Sequence, residues 1–111
     1  MKLHEKTKHI GSKLIKSIVD VDYSWIVKIK PGKNGSIHNH PTYPLVAVYY
    51  AAVTEKSGNL IFNTLNYSIT PKNDMLVLFD GTLLHSIDYN RTDCDRISIG
   101  THLRISEKKN V

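Results

Sequence analysis

Ser36-Ile37-His38-Asn39-His40-Pro41-Thr42-Tyr43-Pro44-Leu45-Val46-Ala47-Val48-Tyr49-Tyr50-Ala51-Ala52-Val53 carries most of the structural information in the chain. A short segment ending in His-x-His, a turn holding Pro41 and Pro44, and an unbroken apolar run read as two strands, Ser36–His40 and Leu45–Val53. The apolar run is nine residues long. That is well short of the roughly 18–20 needed to cross a bilayer as a helix. Side chains two apart on a strand share a face, so His38 and His40 are expected to point the same way.

The same grammar extends in both directions. Upstream, Trp25, Val27 and Ile29 alternate with Ser24, Lys28 and Lys30, and Pro31-Gly32-Lys33-Asn34-Gly35 stops the strand. Downstream, candidate strands run over Asn59–Thr64, Tyr67–Thr70, Met75–Phe79, Leu84–Asp88 and Arg96–Ile105, separated by Gly, Pro, Asn, Asp or Ser. Many short strands at this spacing predict a sandwich or jelly-roll barrel. Leu3, Ile10, Leu14, Ile15 and Ile18 recur at near-helical intervals broken by Gly11, which predicts a short helix or a basic arm over residues 1–17. The expected organisation is one domain, residues 1–111, with its jelly-roll core over residues 18–105 and a frayed tail from Ser106 to Asn110.

Composition narrows the function classes. Apolar residues make up 41% and charged residues 23% of the 111, as in a globular domain. Cys94 is the single cysteine, so an internal disulfide or a cysteine-rich zinc site is excluded, and a metal would have to rely on histidine and carboxylate. The Lys-rich N-terminus has no apolar stretch to act as a signal peptide, so a cytoplasmic protein without a membrane segment is expected. The net charge of +5 resides in residues 1–33, where eight Lys face Glu5, Asp20 and Asp22. The remainder balances seven basic against seven acidic residues. Lys2, Lys6, Lys8, Lys13 and Lys16 read as a solvated helix face, so nucleic acid is not the expected partner.

Histidine carries the chemistry. His38 and His40 share a face on one strand; His85 follows the apolar strand Met75–Phe79 after Asp80-Gly81-Thr82; Arg96 and Ser98 share a face on the last strand. Imidazoles suit Fe(II), and two or three on one side of an ion leave positions open for a chelating co-substrate. Arg96 could grip a carboxylate through a bidentate, charge-assisted pair, with Ser98 adding a hydroxyl; alternatively it pairs with Asp93 or Asp95 in its own turn. Tyr49 and Tyr50 point to opposite faces, so only one of them can face the interior and bond a co-substrate. His102 falls on the Arg96 face and reads as an inner histidine, either satisfied within the core or lining the pocket. Trp25, Phe62 and Phe79 read as core, and Cys94 as exposed.

His38-Asn39-His40-Pro41, Leu45-Val46-Ala47-Val48-Tyr49-Tyr50, Ser57-Gly58-Asn59-Leu60-Ile61-Phe62, Pro71, Leu76-Val77-Leu78-Phe79, Leu84-His85-Ser86-Ile87 and Arg96-Ile97-Ser98-Ile99, taken together, resemble a family of small 2-oxoglutarate- and Fe(II)-dependent oxygenases of bacteria and phages. The resemblance covers about residues 35–105. It implies a mainly β, cupin-like double-stranded β-helix in which His38 and His85 ligate iron, Arg96 anchors 2-oxoglutarate, and Ser98 belongs to the co-substrate clamp with Tyr50. It further implies a dioxygenase acting on a small-molecule or peptide substrate, in the host cytoplasm if the gene is a phage's. The wider superfamily places a carboxylate two residues after its first histidine, whereas this chain has His40. Either His40 is the third ligand or Asp80, five residues before His85, supplies the carboxylate instead of capping its turn. Two alternatives to such an oxygenase are a three-histidine metal cupin without 2-oxoglutarate and a non-catalytic β-sandwich interaction domain. The short length also raises the expectation of a homodimer that completes the pocket.

Overall fold

The structure is a computed structural model and describes residues 19–105. The helix or arm expected over residues 1–17 and the tail from Ser106 to Asn110 lie outside the described residues. All regular structure among the described residues is β: β1 Val19–Ile29, β2 Gly35–His38, β3 Leu45–Ala52, β4 Leu60–Phe62, β5 Tyr67–Ile69, β6 Leu76–Phe79, β7 His85–Ile87 and β8 Arg96–Ile105. They form two four-stranded antiparallel sheets in the orders β1-β8-β3-β6 and β2-β7-β4-β5. This is a jelly roll: apart from the β4–β5 hairpin, successive strands alternate between sheets, and the two sheets close on each other as a double-stranded β-helix. No described helix is long and apolar enough to cross a membrane.

Register decides which side chains meet between the sheets. Gly100 is opposite Trp25 and Val48, and Ser98 opposite Val27 and Tyr50; Arg96 faces Ile29, and His102 faces Tyr23 and Val46. Residues directly opposite one another share a face, so Trp25, Val27, Val46, Val48, Tyr50, Arg96, Ser98 and His102 all project inward. In the smaller sheet, Ile87 lies opposite both Gly35 and Leu60, and His85 opposite both His38 and Phe62. Val46, Leu60, Phe62 and Phe79 form the buried apolar cluster between the layers. Phe62 and Phe79 meet edge to face with ring centroids 5.0 Å apart, which is a favourable aromatic geometry.

Several strands are shorter than the sequence predicts, because the turn residues at their ends bond locally instead of across the sheet. β2 is an example with functional consequences, since it stops at His38 and leaves His40 beyond the strand. His40 donates its backbone N–H to the Gly81 carbonyl at 2.7 Å and accepts from Tyr43 N–H at 3.0 Å, and Pro41 has no N–H with which to extend a ladder. The expectation that His38 and His40 occupy one strand is thus corrected. The turn itself brings His40 back to His38.

Candidate metal and co-substrate site

Two antiparallel strands and one turn assemble three imidazoles. His38 on β2 is the register partner of His85 on β7, and their ring centroids are 4.4 Å apart. His40 lies 4.9 Å from His38 and 5.3 Å from His85 between ring centroids. One ring nitrogen from each of the three lies within 4.8 Å of the others, and among the described residues this is the only such group of metal-binding side chains. His38 is exposed, His40 half-buried and His85 buried, so the cluster extends from solvent into the core.

The hydrogen bonds around the cluster prepare lone pairs. His38 Nδ1 lies 2.8 Å from the Ser36 carbonyl and His85 Nδ1 lies 3.0 Å from the Leu83 carbonyl. A carbonyl only accepts, so in both rings the hydrogen sits on Nδ1 and the neutral imidazole keeps a bare Nε2. Such backing bonds fix tautomer and ring direction at metal sites. His40 is backed differently, by His102, whose Nε2 is 2.8 Å from His40 Nδ1.

Burial favours the uncharged form of the His40, His85 and His102 rings. It is the main reason His40 falls from 6.5 to about 4, with smaller contributions from His102, His38 and His85. Burial likewise lowers His85, against the opposing Leu83 carbonyl bond, and lowers His102, against the pull of Asp22. A ring whose folded pKa lies below its unfolded value binds fewer protons in the folded state. The stability associated with the neutral His40 ring is therefore complete above about pH 6.5 and lost as pH falls toward about 4. Thermal unfolding of the metal-free protein should show its midpoint dropping across that interval, with a shallower drop in His40→Gln. An identical slope in the two proteins would contradict a buried neutral His40.

Below the histidines is a cavity of about 120 Å³ with walls from Trp25, Val27, Val46, Val48, Leu60 and Ile87. His38, His40, His85, Tyr50, Arg96 and Ser98 line it as well. Trp25 closes one side by lying across Gly100, where a Cβ would come within 2.4 Å of the indole. Any larger residue at position 100 would displace that wall.

Arg96 is 1% exposed, which for a guanidinium demands compensation. Its Nε donates to the Gly58 carbonyl at 3.2 Å and its guanidinium carbon sits 5.2 Å from the Tyr50 ring centroid. Both Nη atoms and the Tyr50 hydroxyl are buried and, among the described residues, neither group meets a hydrogen-bond partner in good geometry, although the two lie close enough to influence each other. Burial raises the Tyr50 pKa, with Arg96 only partly opposing it, so the phenol keeps its proton. The carboxylates of the adjoining turn do not serve Arg96: Asp95 pairs with Lys28 at 3.8 Å, and Arg96 forms no ion pair among the described residues. What remains is a buried cation and a buried hydroxyl directed into an apolar cavity, a donor set for one carboxylate.

The other predicted residues separate cleanly. Tyr50 is fully buried and faces inward, whereas Tyr49 faces out and donates its hydroxyl to Asp74. Ser98 is buried at the cavity wall. Asp80 is not among the clustered histidines. Its Oδ1 accepts from Thr82 N–H and Thr82 Oγ1, each at 2.8 Å, and these bonds lower its pKa, which is a turn-capping role. Cys94 is exposed, and Trp25 is a cavity wall rather than a member of the central cluster. Sequence reasoning missed the Gly58 carbonyl as the tether of Arg96. Gly58 adopts φ +117° and a Cβ there would approach the Asp88 carbonyl to 2.3 Å, so only glycine fits.

No family model matches the chain, and no curated protein matches it by sequence. Among solved structures, it is similar to an oxidoreductase of the 2OG-Fe(II) oxygenase family from Burkholderia pseudomallei, with a TM-score of 0.78, 11% identity, and coverage of 93% of this chain and 54% of that one. AviO1 from Streptomyces viridochromogenes gives a TM-score of 0.78 at 11% identity over 98% of this chain and 61% of its own. A cupin domain from Bordetella pertussis gives 0.57 at 13% identity, over 79% of this chain and 93% of that domain. The fold is that of 2-oxoglutarate and Fe(II)-dependent oxygenase structures and of cupins. This chain spans 54% and 61% of the two oxygenases' lengths.

Proposed function

We propose that this jelly roll binds Fe(II) through His38, His40 and His85, holds 2-oxoglutarate by its distal carboxylate on Arg96 and Tyr50, and oxidises a small-molecule or peptide substrate. The observation that carries this reading is a buried guanidinium with both Nη atoms unpaired, in the same apolar cavity as a cluster of three metal-competent imidazoles. Each half calls for the other. A guanidinium shut in an apolar cavity favours an anionic occupant, and a neutral three-imidazole site favours an anionic chelator.

Within this reading Arg96 provides the fork that takes both carboxylate oxygens, and Tyr50 donates a third bond. Ser98 lies beside them on the same strand face. The apolar walls exclude water, strengthening each of these bonds. His38 and His85, backed by carbonyls, hold their Nε2 lone pairs toward the ion without needing to reorganise. Bound Fe(II) supplies the redox centre and the open coordination positions.

A second reading, a three-histidine metal cupin that does not use 2-oxoglutarate, draws on a histidine cluster that holds no carboxylate among the described residues. Anaerobic absorption spectra of the protein with Fe(II), before and after 2-oxoglutarate, distinguish the two. The oxygenase reading expects a new visible band on adding 2-oxoglutarate and succinate release once air is admitted. Metal binding that ignores 2-oxoglutarate favours the cupin reading. Failure to bind Fe(II) at saturation removes both and leaves an interaction domain.

A further inference from the structure

His102 does not belong to the three-histidine cluster, yet it touches it through one bond. Its Nε2 lies 2.8 Å from His40 Nδ1, and it is 4% exposed. Three aromatic rings enclose it: Tyr43 stacked at 4.0 Å between centroids, Trp25 at 4.5 Å and Tyr23 edge-on at 4.8 Å. Tyr43 is itself fixed, since its hydroxyl donates to Asp22, which also accepts from Arg104 at 3.1 Å. The His102 ring thus cannot swing without dislodging its neighbours.

Proton accounting gives this bond a role. Two neutral imidazoles facing each other share a single hydrogen. If His102 donates it, His40 carries its own hydrogen on Nε2 and has no lone pair for an ion. If His40 donates it, His40 Nε2 is bare. His38 and His85 never face this choice because carbonyls back them. His40 faces it because its partner is another histidine.

We infer that His102 is the positioning residue of the metal site, accepting the His40 Nδ1 hydrogen so that His40 Nε2 is presented to an ion shared with His38 and His85. The inference rests on the metal-binding reading above. In this arrangement His102 keeps its remaining hydrogen on Nδ1, which is buried without a partner among the described residues. An orphaned buried N–H is unfavourable, so the arrangement is offset by the bond from His40 Nε2 to the ion. Loading the site with metal therefore selects one tautomer of a ring that the metal does not touch.

The test uses Zn(II) alone as probe, with no 2-oxoglutarate. Ring ¹⁵N spectra of the Zn(II)-loaded chain should show His102 protonated at Nδ1 and accepting at Nε2. His102→Phe retains an aromatic ring but no acceptor, and should weaken Zn(II) about 10- to 100-fold, the usual consequence of losing a ligand's backing partner. His102→Gln, whose side-chain carbonyl accepts, should recover most of that loss. A hydrogen on His102 Nε2 in the loaded protein overturns the inference, as does unchanged Zn(II) affinity in a folded His102→Phe. Should that variant not fold, the ¹⁵N spectrum of the unaltered chain and the His102→Gln affinity still decide. If the unaltered chain binds no Zn(II), the metal reading falls and takes this inference with it; if it binds and His85→Ala does not, a negative His102 result counts against the inference alone.

Discussion

Arg96→Met should make the ligand-free protein more stable while removing its response to 2-oxoglutarate. Two terms compete in the empty protein. Loss of the charge-assisted Nε bond to Gly58 costs about 1.5–3 kcal/mol. Removing a desolvated guanidinium that has no counter-ion returns more, since an uncompensated buried charge costs about 3–5 kcal/mol. The net gain should raise the unfolding midpoint by several degrees, at about 4–8 °C per kcal/mol for a domain of this size. With 2-oxoglutarate the order reverses. Each charge-assisted bond is worth about 1.5–3 kcal/mol, so losing two should weaken binding by roughly 10²–10⁴-fold. Calorimetry with and without the co-substrate reads both effects. If Arg96→Met is less stable than the parent and binds 2-oxoglutarate equally well, the assignment of Arg96 as a waiting anion site is wrong.

His85→Ala should weaken divalent transition-metal binding by more than about a hundredfold. Losing even a backing partner of a metal ligand costs about 10–100-fold, and in the proposed site His85 is one of three ligands, set into the buried end of the cluster. Asp80→Asn should leave metal affinity unchanged, because its carboxylate is spent on Thr82 in an exposed turn. Metal content after dialysis, measured for both variants, separates a three-imidazole site from a hidden carboxylate. Iron retained by His85→Ala, or stripped by Asp80→Asn, would reverse the ligand assignment.

The sequence disclosed the strands more readily than the site. Period-two alternation marks Trp25, Val27 and Ile29 without ambiguity, and β8 occupies Arg96–Ile105 as its pattern predicts. Short strands are legible only at their centres, because their ends are set by turn bonds such as His40 N–H to Gly81, between residues far apart in sequence. Alternation separates Tyr49 from Tyr50 but does not say which is inside. Pairing does, by placing Tyr50 opposite Ser98. The His38–His85 pairing and the bond from Arg96 to Gly58 depend on strand order, which one chain's pattern does not encode. The His40–His102 bond is the extreme case, joining residues that meet only because β8 pairs with β3 and sets His102 opposite Val46, just past the turn that carries His40.

The register of β2 carries one more implication, for folding. Among the described residues β2 is a four-residue edge strand whose only neighbour is β7, and its pairing is irregular between Gly35 and His38. Few backbone bonds hold such an edge, and a slip by one residue would turn His38 away from His85. An ion gripping both rings acts as a rivet at the end of that ladder, fixing the slip coordinate that the backbone leaves soft. In the proposed metal-loaded protein, edge-strand fraying and ion release would become one event, and the breathing of β2 would set the rate of metal exchange.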